Sequence, residues 1–324
     1  MGDTKPKIVP AHTKCATTDD QYAASYLKTG SMRGVMYQMG MLTWASWRLT
    51  CQKDANIRNW WLAAEVRDAR GFHDLVLKYS TNGAPKEDGS TSDGEKYMYR
   101  FMQIKHKTSL QKNATITDYH LVSKHKLHRQ SSLFYLFRAY LNLLGNYEKI
   151  TPEQIVDLMI FTNMNIKPFK FLVPVENDPL FGFKGKGKRY RLDINALRKE
   201  PGIMIAMYNI NQDEKIIVGF LKKLVFVVCQ PSEPELEELI VEDMGQTFNS
   251  PEIFYDNLYK NIINWFLVYK DGRAPYLTEN HVMEYLKKTQ DTLWEARKSG
   301  MLVDPVSKLS EKLKFLHLSN VTVL

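Results

Sequence analysis

In the run Tyr97 to His106, Gln103 and Lys105 stand two residues apart among aromatic and aliphatic neighbours. On an extended strand that spacing points both side chains to one face, with the carbonyl of Ile104 between them. Asp74 heads the preceding apolar run Phe72 to Ser80, and a hairpin between the two runs brings its carboxylate beside Gln103. A carboxylate, an amide oxygen and a backbone carbonyl are the hard oxygen donors that suit Mg2+ or Mn2+. An ammonium beside them polarises an attacking water and offsets charge developing on a phosphate, while the ion lowers the water's pKa. The chemistry this set predicts is phosphodiester hydrolysis without a covalent intermediate. A solvated hairpin with Asp and Lys at ordinary surface positions is the competing expectation. Against it, Asp74 and Gln103 interrupt strands that are otherwise apolar, where a polar group needs a partner or a task.

These residues need a scaffold, and the periodicity supplies one. From Arg33 to Cys51 apolar residues recur at helical spacing. Strand-like runs follow at Trp60 to Val66, Phe72 to Ser80 and Tyr97 to His106, the last two joined by the turn-forming segment Thr81 to Lys96. A helix is expected over Ser132 to Leu144, then a cap at Thr151 with Pro152 behind it and a buried strand over Val156 to Thr162. Asp213 to Lys223 reads as a helix entering the strand Leu224 to Cys229. Helical periodicity then covers Pro234 to Thr247, Pro251 to Tyr269 and Thr278 to Lys298, with Thr278 as cap. The expected organisation is a flexible arm over 1–30, an α/β domain over 31–230 and a helical C-terminal subdomain over 231–324. Trp44, Trp47, Trp60 and Trp61 are expected in the core.

Taken together, Phe72-His73-Asp74-Leu75-Val76-Leu77 and Gln103-Ile104-Lys105 resemble the PD-(D/E)XK nuclease superfamily. The resemblance covers residues 33 to 165 and is similar to nuclease-like domains of arthropod and endosymbiont multidomain proteins. It implies a restriction-endonuclease-like core, a mixed β-sheet flanked by helices, and a Mg2+- or Mn2+-dependent endonuclease. Under it Asp74, Gln103, the Ile104 carbonyl and Glu65 hold the ion, and Lys105 orients the water. Two positions depart from the family pattern. Gln103 stands where the family has its middle acidic residue, as in Mrr-like members, and His73 stands where it has proline. Glu65 is the position that restores the missing carboxylate, and Gln38 is an accessory residue on the first helix. His73 is expected on the opposite face from Asp74.

The 324 residues carry 44 Lys and Arg against 36 Asp and Glu, a formal charge of +8 and a pI near 9.1. That balance favours a polyanionic partner such as nucleic acid, and the nuclease reading takes DNA in preference to RNA. Lys107, Lys112, Lys124, Lys126 and Arg129 form a basic run beyond the proposed site, and Lys186, Lys188 and Arg189 belong to an aromatic, glycine-rich cluster over Phe181 to Arg191. Phosphate contact, or base stacking by the aromatics, is one expectation for these groups, and a solvated basic face or loop is the other. His106 is expected to point away from the ion. Cys15, Cys51 and Cys229 are too far apart for a zinc or disulfide framework, which fits an intracellular compartment, cytoplasmic or nuclear. No stretch approaches the roughly 18 apolar residues of a membrane span, and no P-loop, HExxH or GxSxG motif occurs. The rival function is a catalytically inactive pseudonuclease that binds nucleic acid, or a protein through its helical C-terminal part.

Overall fold

Strands that are apolar on both sides need cover on both faces, and the runs IVDLMIFT and LVFVV are of that kind. The described residues of the computed structural model are 31–51, 56–81, 96–107, 114–121 and 132–299. In chain order they form α1 (Ser31–Cys51), β1 (Asn59–Ala63), β2 (Leu75–Thr81), β3 (Lys96–Lys105), β4 (Thr115–Ile116), α2 (Asp118–Leu121), α3 (Leu133–Asn146), β5 (Ile155–Thr162), β6 (Asn165–Ile166) and β7 (Leu172–Val175). These are followed by β8 (Lys188–Leu192), α4 (Ile194–Arg198), α5 (Pro201–Tyr208), α6 (Glu214–Lys223), β9 (Leu224–Val228), α7 (Glu233–Met244), α8 (Pro251–Phe266), β10 (Leu277–Thr278) and α9 (Glu279–Lys298).

Eight strands make one mixed sheet in the order β10-β1-β2-β3-β5-β9-β8-β7. Its centre, β3-β5-β9, is parallel, and every other pairing is antiparallel. The fold is therefore mixed α/β with helices on both faces. One face is covered by α3, α5 and α6, through residues such as Phe137, Tyr140, Met207 and Phe220. The other is covered by α1 and by α7 to α9, through Met41, Trp44, Leu236, Leu258 and Leu286.

Every residue of α1 from 37 to 47 is buried. A helix buried all round lies inside the protein rather than on its surface, and α1 is sandwiched between the sheet and α7, α8 and α9. Among the described residues, α7, α8 and α9 thus share one core cluster with α1 and the sheet. β10 returns to the sheet edge, pairing Leu277 with Leu62 and Thr278 with Trp61. No helix among the described residues is long and apolar enough to cross a membrane.

Trp44, Trp47 and Trp60 are buried, and Trp61 is half-buried. The Thr151 cap opens a single 3-10 turn over Pro152–Gln154 that feeds straight into β5. Four elements depart from the periodicity: the strands β7 and β8 and the short helices α4 and α5. Their sequences, LVPV and KRYRL for the strands, are brief or highly charged, so neither alternation nor apolar content stands out.

Candidate functional site

β2 and β3 pair Leu75 with Met102, and continuing that register by one residue sets Asp74 directly opposite Gln103. The contact is made. Gln103 Nε2 donates to Asp74 Oδ2 at 2.5 Å, and the Ile104 backbone N–H donates to the same oxygen at 2.6 Å. In an extended strand the N–H and C=O of one residue point to the same side, so the Ile104 carbonyl also faces the Asp74 edge. Lys105 follows on the Gln103 face, and Asp74 and Gln103 are both buried. The cluster lies at the carboxyl ends of the parallel strands β3 and β5, where open α/β sheets place ligands.

β1 ends at Ala63, so Glu65 lies beyond it, in the connection to β2, with φ +52. A non-glycine residue there is held by its surroundings. The holder is Gln38 of α1, whose Nε2 donates to Glu65 Oε1 at 3.0 Å and to the Asp74 carbonyl at 2.8 Å. Within the same connection Gly71 has φ +103, and a Cβ on it would sit 2.6 Å from the Cβ of Ala139, so only glycine fits. Five expected residues, Gln38, Glu65, Asp74, Gln103 and Ile104, thus meet at one point.

His73 is the correction. Alternation along a strand would turn it away from Asp74, but β2 begins only at Leu75 and His73 precedes the regular strand. Its Nε2 lies 3.5 Å from Glu65 Oε2 and 3.6 Å from Asp74 Oδ1. The Gly71 N–H donates to its Nδ1 at 3.3 Å, which turns Nε2 toward the two carboxylates. One ligand atom each from Glu65, His73 and Asp74 lies within 4.8 Å of the others. The donor set fits a divalent cation: two carboxylates, a backbone carbonyl, an amide that can rotate its oxygen inward, and an imidazole at the margin.

Burial pushes the Asp74 carboxyl up to about 6, opposed by His73 and by the Ile104 N–H, while Glu65 adds to the rise. Burial pulls the Lys105 ammonium down to about 8, opposed by Asp74. A carboxylate that resists ionisation beside a carboxylate neighbour is a place where a cation is welcome. A lysine depressed toward neutrality is suited to exchanging a proton with water.

The expected basic residues separate. Lys107 follows β3 and is gripped through its backbone by Asn163, whose Oδ1 accepts from the Lys107 N–H at 2.9 Å and whose Nδ2 donates to the Lys107 carbonyl at 2.8 Å. Lys186 and Lys188 are exposed. Lys112, Lys124, Lys126 and Arg129 lie outside the described residues. Arg189 is not a surface cation: its guanidinium contacts Asp157 at 3.1 Å and Asp178 at 3.5 Å, in a buried network with Arg100 and Arg191. Phe181 and Phe183 do not offer stacking platforms either, because both are buried, and Tyr190 is half-buried against the core. His106 stacks on Tyr37 at 4.5 Å between ring centres, away from Asp74 as alternation requires. Sequence reasoning missed His73 and Asn163. Adjacency to Asp74 was the available signal for the first, and nothing local signals the second. Comparison with family models and with curated proteins finds no match to the chain.

Proposed function

We propose that this protein is a Mg2+- or Mn2+-dependent nuclease with a restriction-endonuclease-like core, hydrolysing phosphodiester bonds of nucleic acid, DNA in preference to RNA. The observation that carries the reading is the register of β2 on β3. It sets a buried carboxylate against Gln103, with the Ile104 backbone on the same oxygen and Lys105 on the same face. Asp74, Glu65, Gln103 and the Ile104 carbonyl are the groups that would hold the ion. When bound, such an ion neutralises the phosphodiester and acidifies a coordinated water.

The chain's own residues supply the rest. Gln38 fixes Glu65 and the Asp74 backbone from behind, so that the carboxylates are held in place before substrate arrives. Lys105 orients the attacking water and donates to the phosphate oxygen on which charge develops. Its depressed pKa shortens the free-energy step of that proton exchange near neutral pH.

One observation favours a second reading, a pseudonuclease that binds without cutting. Gln103 closes on Asp74 at 2.5 Å through its amide nitrogen, so the pair is satisfied with no ion at all. The two readings part in one experiment. Plasmid, single-stranded DNA and RNA are incubated in Mg2+ or Mn2+ with wild type, Asp74→Ala and Lys105→Ala. Metal-dependent cutting lost in both variants selects the nuclease. Salt-sensitive binding without cutting by wild type selects the pseudonuclease.

A further inference from the structure

The cluster over Phe181 to Arg191 folds into a tight turn whose two kinds of residue part company. Phe181 and Phe183 face inward, 1% and 3% exposed, and Phe183 stacks on Trp44 of α1 at 4.8 Å. Lys184, Lys186 and Lys188 face outward and are exposed. The turn closes with the Lys186 N–H donating to the Phe183 carbonyl at 3.2 Å, and Gly185 and Gly187 take φ +71 and +77. At Gly187 a Cβ would stand 1.9 Å from Nε2 of the buried Gln230, so the turn is pressed against the body of the protein there. A Lys-Gly-Lys-Gly-Lys sequence alone suggests a floppy loop, but this one is an anchored display of three cations.

Its place in the sheet is the second observation. Lys105 pairs with Thr162, Phe161 with Val227, and Lys188 with Val228, so Lys105 and Lys188 end the same row across β3, β5, β9 and β8. The turn therefore stands on the same sheet end as Asp74 and Gln103. The separation is three strand spacings of about 4.8 Å, roughly 14 Å. Lys107, clamped by Asn163, lies beyond Lys105 toward that gap.

We infer that Lys184, Lys186 and Lys188 form a fixed phosphate anchor for duplex DNA, gripping its backbone about four base pairs from the scissile bond, given one phosphate per strand every ~3.4 Å. The inference rests on the nuclease reading. Duplex is favoured over single strand because single-strand binders hold bases on exposed aromatic faces, and here both phenylalanines of the cluster are buried and Tyr190 packs half-buried against the core. Lys186 also contacts Glu235 at 3.3 Å, a partly exposed pair that a phosphate with greater charge can displace.

The test measures binding by fluorescence anisotropy with EDTA present, so that cleavage does not intervene. A random-sequence duplex and its single strand are titrated over a range of salt. Proteins compared are wild type, the triple variant Lys184→Gln, Lys186→Gln, Lys188→Gln, and a control triple Lys287→Gln, Lys288→Gln, Lys298→Gln on α9. The anchor predicts that the turn variant loses about 2 to 3 units from the slope of log Kd against log salt on duplex. Its affinity falls at least about tenfold, while its melting temperature and the control's binding match wild type. A turn variant whose duplex slope and Kd equal wild type, in a protein that still cuts, overturns the anchor alone. Tighter wild-type binding of the single strand overturns the duplex assignment. A wild type that neither binds nor cuts removes the nuclease reading, and the anchor with it.

Discussion

At the scale of single residues the site has a measurable electrostatic signature. Asp74 in the fold holds its proton up to about 6, against an ordinary 3.8, chiefly because it is buried. A folded-state pKa above the unfolded one adds stability that is complete below pH 4 and lost as pH rises through 6. Two units correspond to a penalty on the order of 3 kcal/mol. Ion-free wild type is therefore expected to lose stability between pH 4 and 7, and Asp74→Asn to lose little over the same window. Urea unfolding in EDTA at several pH values measures this, and equal pH slopes in both proteins would refute it. Mg2+ or Mn2+ relieves the same penalty, so adding either should raise the melting temperature at pH 7.5 but not at pH 4.5. Gln103→Glu gives the complementary outcome. It replaces an amide donor with a second carboxylate against Asp74, which should destabilise the ion-free protein by about 1 to 3 kcal/mol. The thermal shift produced by Mn2+ should then exceed that of wild type, and a shift no larger would count against Gln103 as a ligand position. Asp74, Gln103 and Lys105 were legible in the sequence because strand alternation and one register determine them. His73 was not, because it stands two residues before Leu75, the first residue of β2, where the backbone has left the strand and alternation no longer places a side chain.

At the scale of elements, the connection from β1 to β2 and the network at the far end of β3 do the positioning. Gly71 combines φ +103 with a Cβ position 2.6 Å from Ala139 on α3. Gly71→Ala must shift α3 or open the segment that carries Glu65 and His73, at a cost of about 2 kcal/mol or more. The same change should weaken Mn2+ binding, measured by calorimetry, and a fully stable variant with unaltered binding would contradict this placement. At the opposite sheet end Asp157, 1% exposed, receives Arg100 of β3 and Arg189 and Arg191 of β8. Asp157→Asn leaves three guanidinium groups around a neutral amide and is expected to cost ~3 to 5 kcal/mol, read from chemical denaturation. A loss below about 1 kcal/mol would show that the network is solvated. The core helices are readable from their helical period, β2 and β3 from apolar and aromatic runs bounded by turn formers, and β5 and β9 from unbroken apolar runs of strand length. β8 is hidden because its cations, Arg189 and Arg191, point into a buried ionic cluster whose compensating carboxylates, Asp157 on β5 and Asp178 in the connection from β7, no local pattern pairs with them.

At the scale of the whole molecule, helical periodicity after residue 231 suggests a helical subdomain, yet period alone cannot say what a helix face packs against. Three buried apolar side chains of α7, five of α8 and three of α9 cover the α1 face of the sheet. Each contributes ~1.5 to 3 kcal/mol on burial, and a domain's net stability is only about 5 to 15 kcal/mol. Their removal therefore exceeds the margin, and it also exposes α1, which carries Gln38 and so holds Glu65 and Asp74 in place. A protein comprising residues 31–230 alone is expected to show no cooperative thermal transition, to bind a hydrophobic dye, and to have no metal-dependent activity. Residues 31–299 should melt in one step. A cooperative transition in the shorter protein would mean that the sheet and α1 are self-sufficient, and that the C-terminal helices are an addition to the site's scaffold rather than half of it.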